Sequence, residues 1–414
     1  MNVAITGIGV VSPLGHTAAE TVGALLDGRS AVTELLGFGS APFECPVAAM
    51  VTDFKAREWV SNRKNLKLMT PATRFGLAAV KRAFLDAALE GAVDAERLGI
   101  FVGAGTAFGE SEDLRPALER SMAPHGFDSV AFGRDGMHVI NPLWLLKGLS
   151  NNILGFATAD LDAQGINQNY CNSPVGGMQA IGEAAWALIE GKADAILAGG
   201  ADSAVNAAHL TGFGRLEMLS PSGHVRPFGA NHDGFAPGEG GAFFALERPD
   251  DAARRGQRVL ARLVGYGNAG GAHALTTGVP ESIASAFRGA LDRAGWAPKD
   301  VDLVYAHGSA TAAFDLREAK ALELVFGADT PPITANKAQL GHSVAASGAL
   351  SMACAIEIAH RGAIPAAGDY PLAHGCKGID LVRGVPRKAT VRRALVHASG
   401  LGGQTTCIAL EIDL

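Results

Sequence analysis

Two histidines and a lysine occupy positions from which side chains could do chemistry. His307 lies in AHGSAT and His342 in QLGHS, each after an apolar or turn-like run and beside a glycine, as a reactive side chain at a strand end would be. A histidine so placed can act as a general base or, when neutral, donate to an oxygen that gains charge in a reaction. Taken singly, either is more commonly a packed structural residue. Lys337 sits in an otherwise apolar stretch, NKAQLGHS, a poor setting for a solvated lysine. Ser309 and Thr311 follow His307 and could cap its turn or offer hydroxyls to a ligand. Cys171, in NYCNSP, is the thiol nearest a helix start, and three residues on Pro174 suits a first helical turn, where no N–H is needed.

The five cysteines are widely spaced with no C-x-x-C, which argues against a disulfide framework or zinc cluster and for a reducing cytoplasm. The opening ITGIGVVSPLG is not a dinucleotide fingerprint, because its GIG lacks the third glycine. It also lacks the basic flank and cleavage site of a signal peptide. Among 414 residues, 48% are hydrophobic and 18% charged, with a net charge of -6. That is enough apolar surface for a large core and the wrong charge for a nucleic-acid platform. No apolar run nears the roughly 18 residues of a membrane span. The expectation is a soluble cytoplasmic protein that binds neither nucleic acid nor membrane.

The elements that must position these residues alternate in type. Short β-branched runs at 3–6, 98–102, 195–198 and 241–246 read as strands, and 18–26, 71–89 and 174–190 as helices. A similar order recurs later, with strands at 259–264, 303–306, 394–397 and 406–412 and helices at 282–294 and 343–359. The pattern is α/β and is compatible with a duplicated half joined near 247–257. Residues 105–165 hold Pro, Gly, Met and Trp without a clean period, a long irregular stretch of the kind that is usually functional.

Five segments in order carry a resemblance: ITGIGVVSPLG, RPFGANHDGFAPGEGGAFFALE, AHGSATAAFDLREAKAL, NKAQLGHSVAASGAL and SGLGGQTT. Together they resemble the β-ketoacyl-ACP synthases of the elongating type II class, over essentially the whole chain. The resemblance implies an α/β thiolase-like fold of two fused, duplicated halves in a five-layer αβαβα arrangement. It implies an N-terminal half at 1–250, with a cap and part of the dimer interface at 105–165, and a C-terminal half at 251–414. It also implies a dimer, no bound cofactor, and an acyl carrier protein as partner whose phosphopantetheine arm bears the substrate.

In that family His307 and His342 match the two active-site histidines, and Lys337 matches the lysine that organises the second. Ser309 and Thr311 match hydroxyls that bind the phosphopantetheine arm. Phe213 and Phe235 match aromatic lining. Asp315 and Glu318 match acidic positions read as structural, and Asp233 and Glu239 lie in the DGF and GEG turns, which they are expected to brace. Three positions depart from the pattern. The family's nucleophilic cysteine falls at Pro174, a glutamate falls at Ser351, and the gating phenylalanine of the C-terminal motif is Leu401, followed by Gly402. Three functions follow as alternatives. The chain could be a chain-length-factor (KSβ) type partner of an active ketosynthase, in a heterodimer. It could be a catalyst using His307 and His342 without a thiol, as a malonyl-ACP decarboxylase or a noncovalent acyltransferase, in a homodimer. Or it could be a condensing enzyme that uses Cys171.

Overall fold

The computed structural model describes residues 1–38, 43, 45–105, 111–271, 275–276 and 278–414. Ten strands form one mixed sheet. They are β1 (Val3–Val11), β2 (Leu98–Ala104), β3 (Asn167–Tyr170), β4 (Ala195–Ser203), β5 (Glu239–Glu247), β6 (Ala261–Gly270), β7 (Leu303–Tyr305), β8 (Ile333–Thr334), β9 (Arg393–Ser399) and β10 (Gln404–Glu411). Their spatial order is β8-β7-β9-β10-β6-β1-β5-β4-β2-β3. Read outward from the centre, the first five strands run 1-5-4-2-3 and the last five run 6-10-9-7-8, the same order twice. Pairing repeats as well: in each half two antiparallel ladders are followed by two parallel ones. The halves meet at a short antiparallel ladder in which Val3, Ala4 and Ile5 face Leu263, Arg262 and Ala261.

The helices that matter here are α1 (Ala18–Leu26), α2 (Pro71–Asp86), α3 (Asn152–Leu161), α4 (Gly176–Ile189), α5 (Ala207–Arg215), α6 (Pro280–Ala294), α7 (Ala312–Phe326) and α8 (Ser347–Arg361). Helix α4 packs on β2 and β4 of its own half and reaches β10 of the other, while α8 touches β9 and also β5. These two helices are therefore the central layer, and α2 and α6 cover the outer faces of their halves. Strands buried on both faces must be apolar without alternation. β4 (AILAGGADS) and β5 (EGGAFFALE) are buried at every position.

The duplication extends to atoms. A Cβ on Gly7 or Gly9 of β1 would come within 2.4 Å of Ala83 O or 1.9 Å of Ala79 O on α2. On β6 the same G-x-G spacing recurs: a Cβ on Gly265 or Gly267 would come within 2.1 Å of Ala290 O or 1.9 Å of Ala286 O on α6. Each half thus seats its outer helix directly on strand backbone.

Several expectations on elements need correction. The stretch 105–165 is not irregular throughout: it contains a helix at Ser111–Arg120 and helix α3, and its residues 106–110 lie outside the described residues. The helix expected at 174–190 opens with a 3-10 turn at Ser173–Val175, and the one expected at 343–359 opens with another at Val344–Ala346. Among the described residues no helix is long and apolar enough to cross a membrane.

Candidate active site

Loops at the ends of strands from both halves, with the heads of α4 and α8, converge on a narrow cavity that is partly open to solvent. Its wall contains Pro174, His307, Ser309, His342, Ser399, Gly400 and Leu401, with Phe213, Met218, Phe235 and Phe314 as apolar lining.

His307 follows β7 and is 4% exposed. The turn after it is tight, with Gly308 at φ 47 and Ala310 at φ 64, the latter unusual for a residue with a Cβ. Two carboxylates one turn apart on α7 hold it. Glu318 accepts from the N–H groups of His307 (2.7 Å) and Gly308 (2.8 Å). Asp315 accepts from the N–H of Phe228 (2.6 Å) and of Ala310 (3.1 Å), from Ser309 Oγ (3.3 Å), and from His232 Nδ1 at 3.0 Å. The bracing role expected for these two acids is therefore met by direct bonds. The Ser309 and Thr311 hydroxyls lie 2.8 Å apart; Ser309 lines the cavity, while Thr311 is the cap residue of α7.

Lys337 is 1% exposed, and its Nζ donates to the carbonyl of His307. Burial lowers its pKa to about 8, although Glu318 and Asp315 pull the other way. Its charge acts on both histidines. His307 is held well below the ordinary histidine value by burial first, then by Lys337, His342 and His397. His342 is held well below by burial and then by Lys337. Both rings are accordingly neutral near pH 7.

The backbone determines which nitrogen of His342 carries the proton. The N–H of Val344 donates to Nδ1 at 3.1 Å, and the Ser347 hydroxyl lies 3.1 Å from the same atom. Nδ1 is thus the acceptor, and Nε2 carries the hydrogen. Val344 reaches this position with φ 42, an outlier for a β-branched residue. Strain of about 1–3 kcal/mol at such a residue persists only where surrounding structure enforces it. The rings of His307 and His342 stand 5.3 Å apart, centroid to centroid, and Phe235 lies 4.7 Å from His342 and 5.3 Å from Phe213. Two neutral imidazoles on an apolar wall can donate to, or take a proton from, a thioester or its enolate.

Pro174 lies in the 3-10 turn that leads into α4, and a Cβ on Gly400 would be 3.5 Å from its Cδ. Its saturated ring offers neither a nucleophile nor an N–H donor. Cys171 is exposed, its Sγ accepts from Asn169 Nδ2 at 3.1 Å, and it is not among the residues that line the cavity. Leu401 packs with the cluster that includes Phe213, Met218, Phe235, Phe314 and Val344. Gly402 adopts φ 75 in the turn behind it. Ser351 is buried inside α8. Among the described residues no group of three or more His, Cys, Asp or Glu is arranged to hold a metal ion.

Sequence reasoning passed over Met218, Phe314 and Ser399. Met218 lies outside the five segments, and Phe314, although inside AHGSATAAFDLREAKAL, drew no notice beside the histidine and hydroxyls of that motif. Ser399 was within reach: in HAS the period of two on β9 puts His397 and Ser399 on one face of the strand.

Residues 1–252 match the family described as beta-ketoacyl synthase, N-terminal domain, and residues 260–370 match beta-ketoacyl synthase, C-terminal domain. A 3-oxoacyl-[acyl-carrier-protein] synthase 2 of Coxiella burnetii is 29% identical over 99% of this chain and 98% of its own length. Among solved structures, the ishigamide ketosynthase/chain length factor superposes with a TM-score of 0.90 at 29% identity, covering 100% of this chain and 99% of that one. A type II polyketide ketosynthase in complex with its acyl-carrier protein shares the fold, with a TM-score of 0.85 at 24% identity over 100% and 99% of the two chains.

Proposed function

The chain belongs to the beta-ketoacyl synthase family, and on that premise we propose that it is a chain-length-factor-type partner of an active ketosynthase, handling acyl groups tethered to an acyl carrier protein. The observation that carries this reading is Pro174, which lines the cavity with His307 and His342; the sequence resemblance gives its position to the family's cysteine. Without a thiol there, the condensing acyl-enzyme cannot form at that position. The apolar wall of Phe213, Met218, Phe235, Phe314 and Leu401 suits a hydrocarbon chain, and the Ser309 hydroxyl on the same wall suits a bond to a phosphopantetheine arm. Likeness to a ketosynthase/chain length factor supports the same view.

The partner role also needs a surface. Met122, Phe127, Val130, Met137 and Leu145 are all more than half exposed. Clustered in sequence between 122 and 145, they support a face for a second subunit. Whether that subunit is another copy or a synthase with an intact cysteine is the same question as the function.

A second reading is favoured by the intact histidines. A scaffold has no chemical need of two buried, neutral imidazoles, one of them with a fixed tautomer. They support decarboxylation of a malonyl thioester without a covalent intermediate, with His307 and the Nε2–H of His342 donating to the enolate oxygen.

One experiment separates the readings. The purified chain is incubated with acyl- and malonyl-carrier protein, alone and with a cysteine-bearing ketosynthase, while carbon dioxide and extended products are followed. Extension only beside the synthase is the expected result, with shorter products from Leu401→Phe. Extension by the chain alone would sink the partner role. Carbon dioxide release by the chain alone, lost in His307→Ala, would establish the decarboxylase. Pro174→Cys restores a thiol and an N–H at the head of α4, and it is expected to gain an acyl adduct at residue 174 by intact mass.

A further inference from the structure

Behind the cavity wall lies a second constellation that the functions above do not use. Glu318 Oε1 is 2.5 Å from His397 Nδ1. His397 Nε2 is 2.8 Å from Thr405 Oγ1 and 3.1 Å from Ser399 Oγ. Glu318, His397 and Ser399 are all buried, and Ser399 is on the cavity wall, immediately before the Gly400 that approaches Pro174.

The direction of the proton chain follows from chemistry. Glu318 already accepts from two backbone N–H groups, and a carboxylate only accepts. Burial raises the Glu318 carboxyl, but His397 and those N–H groups outweigh it and leave it below the usual value. His397 Nδ1 therefore carries the hydrogen, and Nε2 presents a lone pair to the two hydroxyls. A carboxylate that orients an imidazole, whose far nitrogen takes a hydroxyl proton, is the arrangement that turns serine into a nucleophile. Of the two hydroxyls, only that of Ser399 is on the cavity wall.

We propose that Ser399, activated by His397 and positioned by Glu318, accepts an acyl group from a thioester in this cavity and holds it as an oxygen ester. Oγ of Ser399 attacks the thioester carbonyl carbon while its proton passes to His397 Nε2. The C–S bond then breaks, and the departing thiolate takes that proton as the free phosphopantetheine thiol. No oxidant, metal or further reactant is required. The acyl group ends beside His307 and His342, on the side of the cavity where Pro174 cannot hold it. This rests on the reading that the cavity receives carrier-tethered acyl groups, and it holds for either of the functions above.

The test uses a medium-chain acyl carrier protein and, separately, the same acyl group on free pantetheine, with intact-mass and peptide analysis. One acyl adduct is expected on the peptide with Ser399, stable to neutral hydroxylamine as an ester is and a thioester is not. It should persist in Cys171→Ser and disappear in Ser399→Ala. In His397→Gln it should form on the order of 100-fold more slowly, the scale of a lost general base. Ser399→Cys reports folding and access together, because a thiol there acylates without the imidazole's help. Acylation of that variant with none of the native serine would overturn the proposal, as would an adduct on Cys171. Labelling by acyl-pantetheine but not by the carrier would keep Ser399 and remove the carrier reading. A carrier complex seen by sedimentation, with no ester, would do the reverse.

Discussion

Lys337 is a buried cation that donates to the carbonyl of His307 and bears electrostatically on both His307 and His342. The sign of its effect can be worked through. In the fold His307 and His342 sit well below their unfolded pKa of about 6.5. The unfolded chain therefore binds protons that the native chain refuses. Stability from these residues is fully present above about pH 6.5 and is lost as pH falls towards the depressed native values. The slope is up to about 1.4 kcal/mol per histidine per pH unit. Urea titrations at pH 7.5 and 5.5 should show this loss, and His342→Asn should shrink it. Lys337→Gln keeps a donor for the His307 carbonyl and removes the charge. Both imidazoles should then titrate higher, visible in the pH dependence of their ring proton resonances; unmoved titrations would mean that burial alone sets them. At this scale the sequence was legible where a motif was local. His307, His342, Lys337 and Ser309 come together as their segments suggested. The Glu318–His397–Ser399 chain was not, because it joins α7 to β9 across about 80 residues, and a strand pattern tells which side chains share a face but not what faces them.

The head of α4 shows how elements set the geometry. A Cβ on Gly200 would lie 2.4 Å from Ala345 O, and one on Gly177 would lie 2.6 Å from the same oxygen. The 3-10 turn before α8 is thus pressed against the start of α4 and the end of β4 with no room for a methyl. Gly200→Ala should cost about 1–3 kcal/mol or more, since the clash is with backbone. It should also displace the turn whose Val344 N–H fixes the tautomer of His342. A urea midpoint unchanged from wild type would contradict this packing. Long apolar elements were readable from sequence, among them β1, α2, β4 and β5. Strand β3 was missed because NQNY is polar, as an edge strand with an exposed face can be. Helix α7 drew attention only for its motif, its DLREAKAL giving charge a larger share than the buried face. The two 3-10 turns were read as helix, because hydrophobic spacing does not distinguish a tighter turn at a helix start.

At the scale of the molecule, a repeat that pattern alone left open is written into strand order, ladder direction and the paired G-x-G seats of α2 and α6. Repetition of this kind could not be read from spacing, because any α/β chain alternates strands and helices. The exposed apolar residues at 122–145 bear on the other long-range property, the assembly proposed above. Phe127→Asp combined with Leu145→Asp should reduce association, with the sedimentation coefficient falling to that of one chain while the thermal midpoint holds. An unaffected complex would place the subunit contact elsewhere.

The two 3-10 turns touch each other, Ser173–Val175 before α4 and Val344–Ala346 before α8. Two helices of 14 and 15 residues therefore point their amino ends towards one place. Each such end carries roughly half a positive charge from aligned peptide dipoles. A carbonyl oxygen brought there sits in a standing electric field that belongs to the backbone and not to any side chain. A proline at one helix head supplies no bond-forming atom and leaves that field in place. A carbonyl polarised there is open to attack by whichever neighbouring group can reach it.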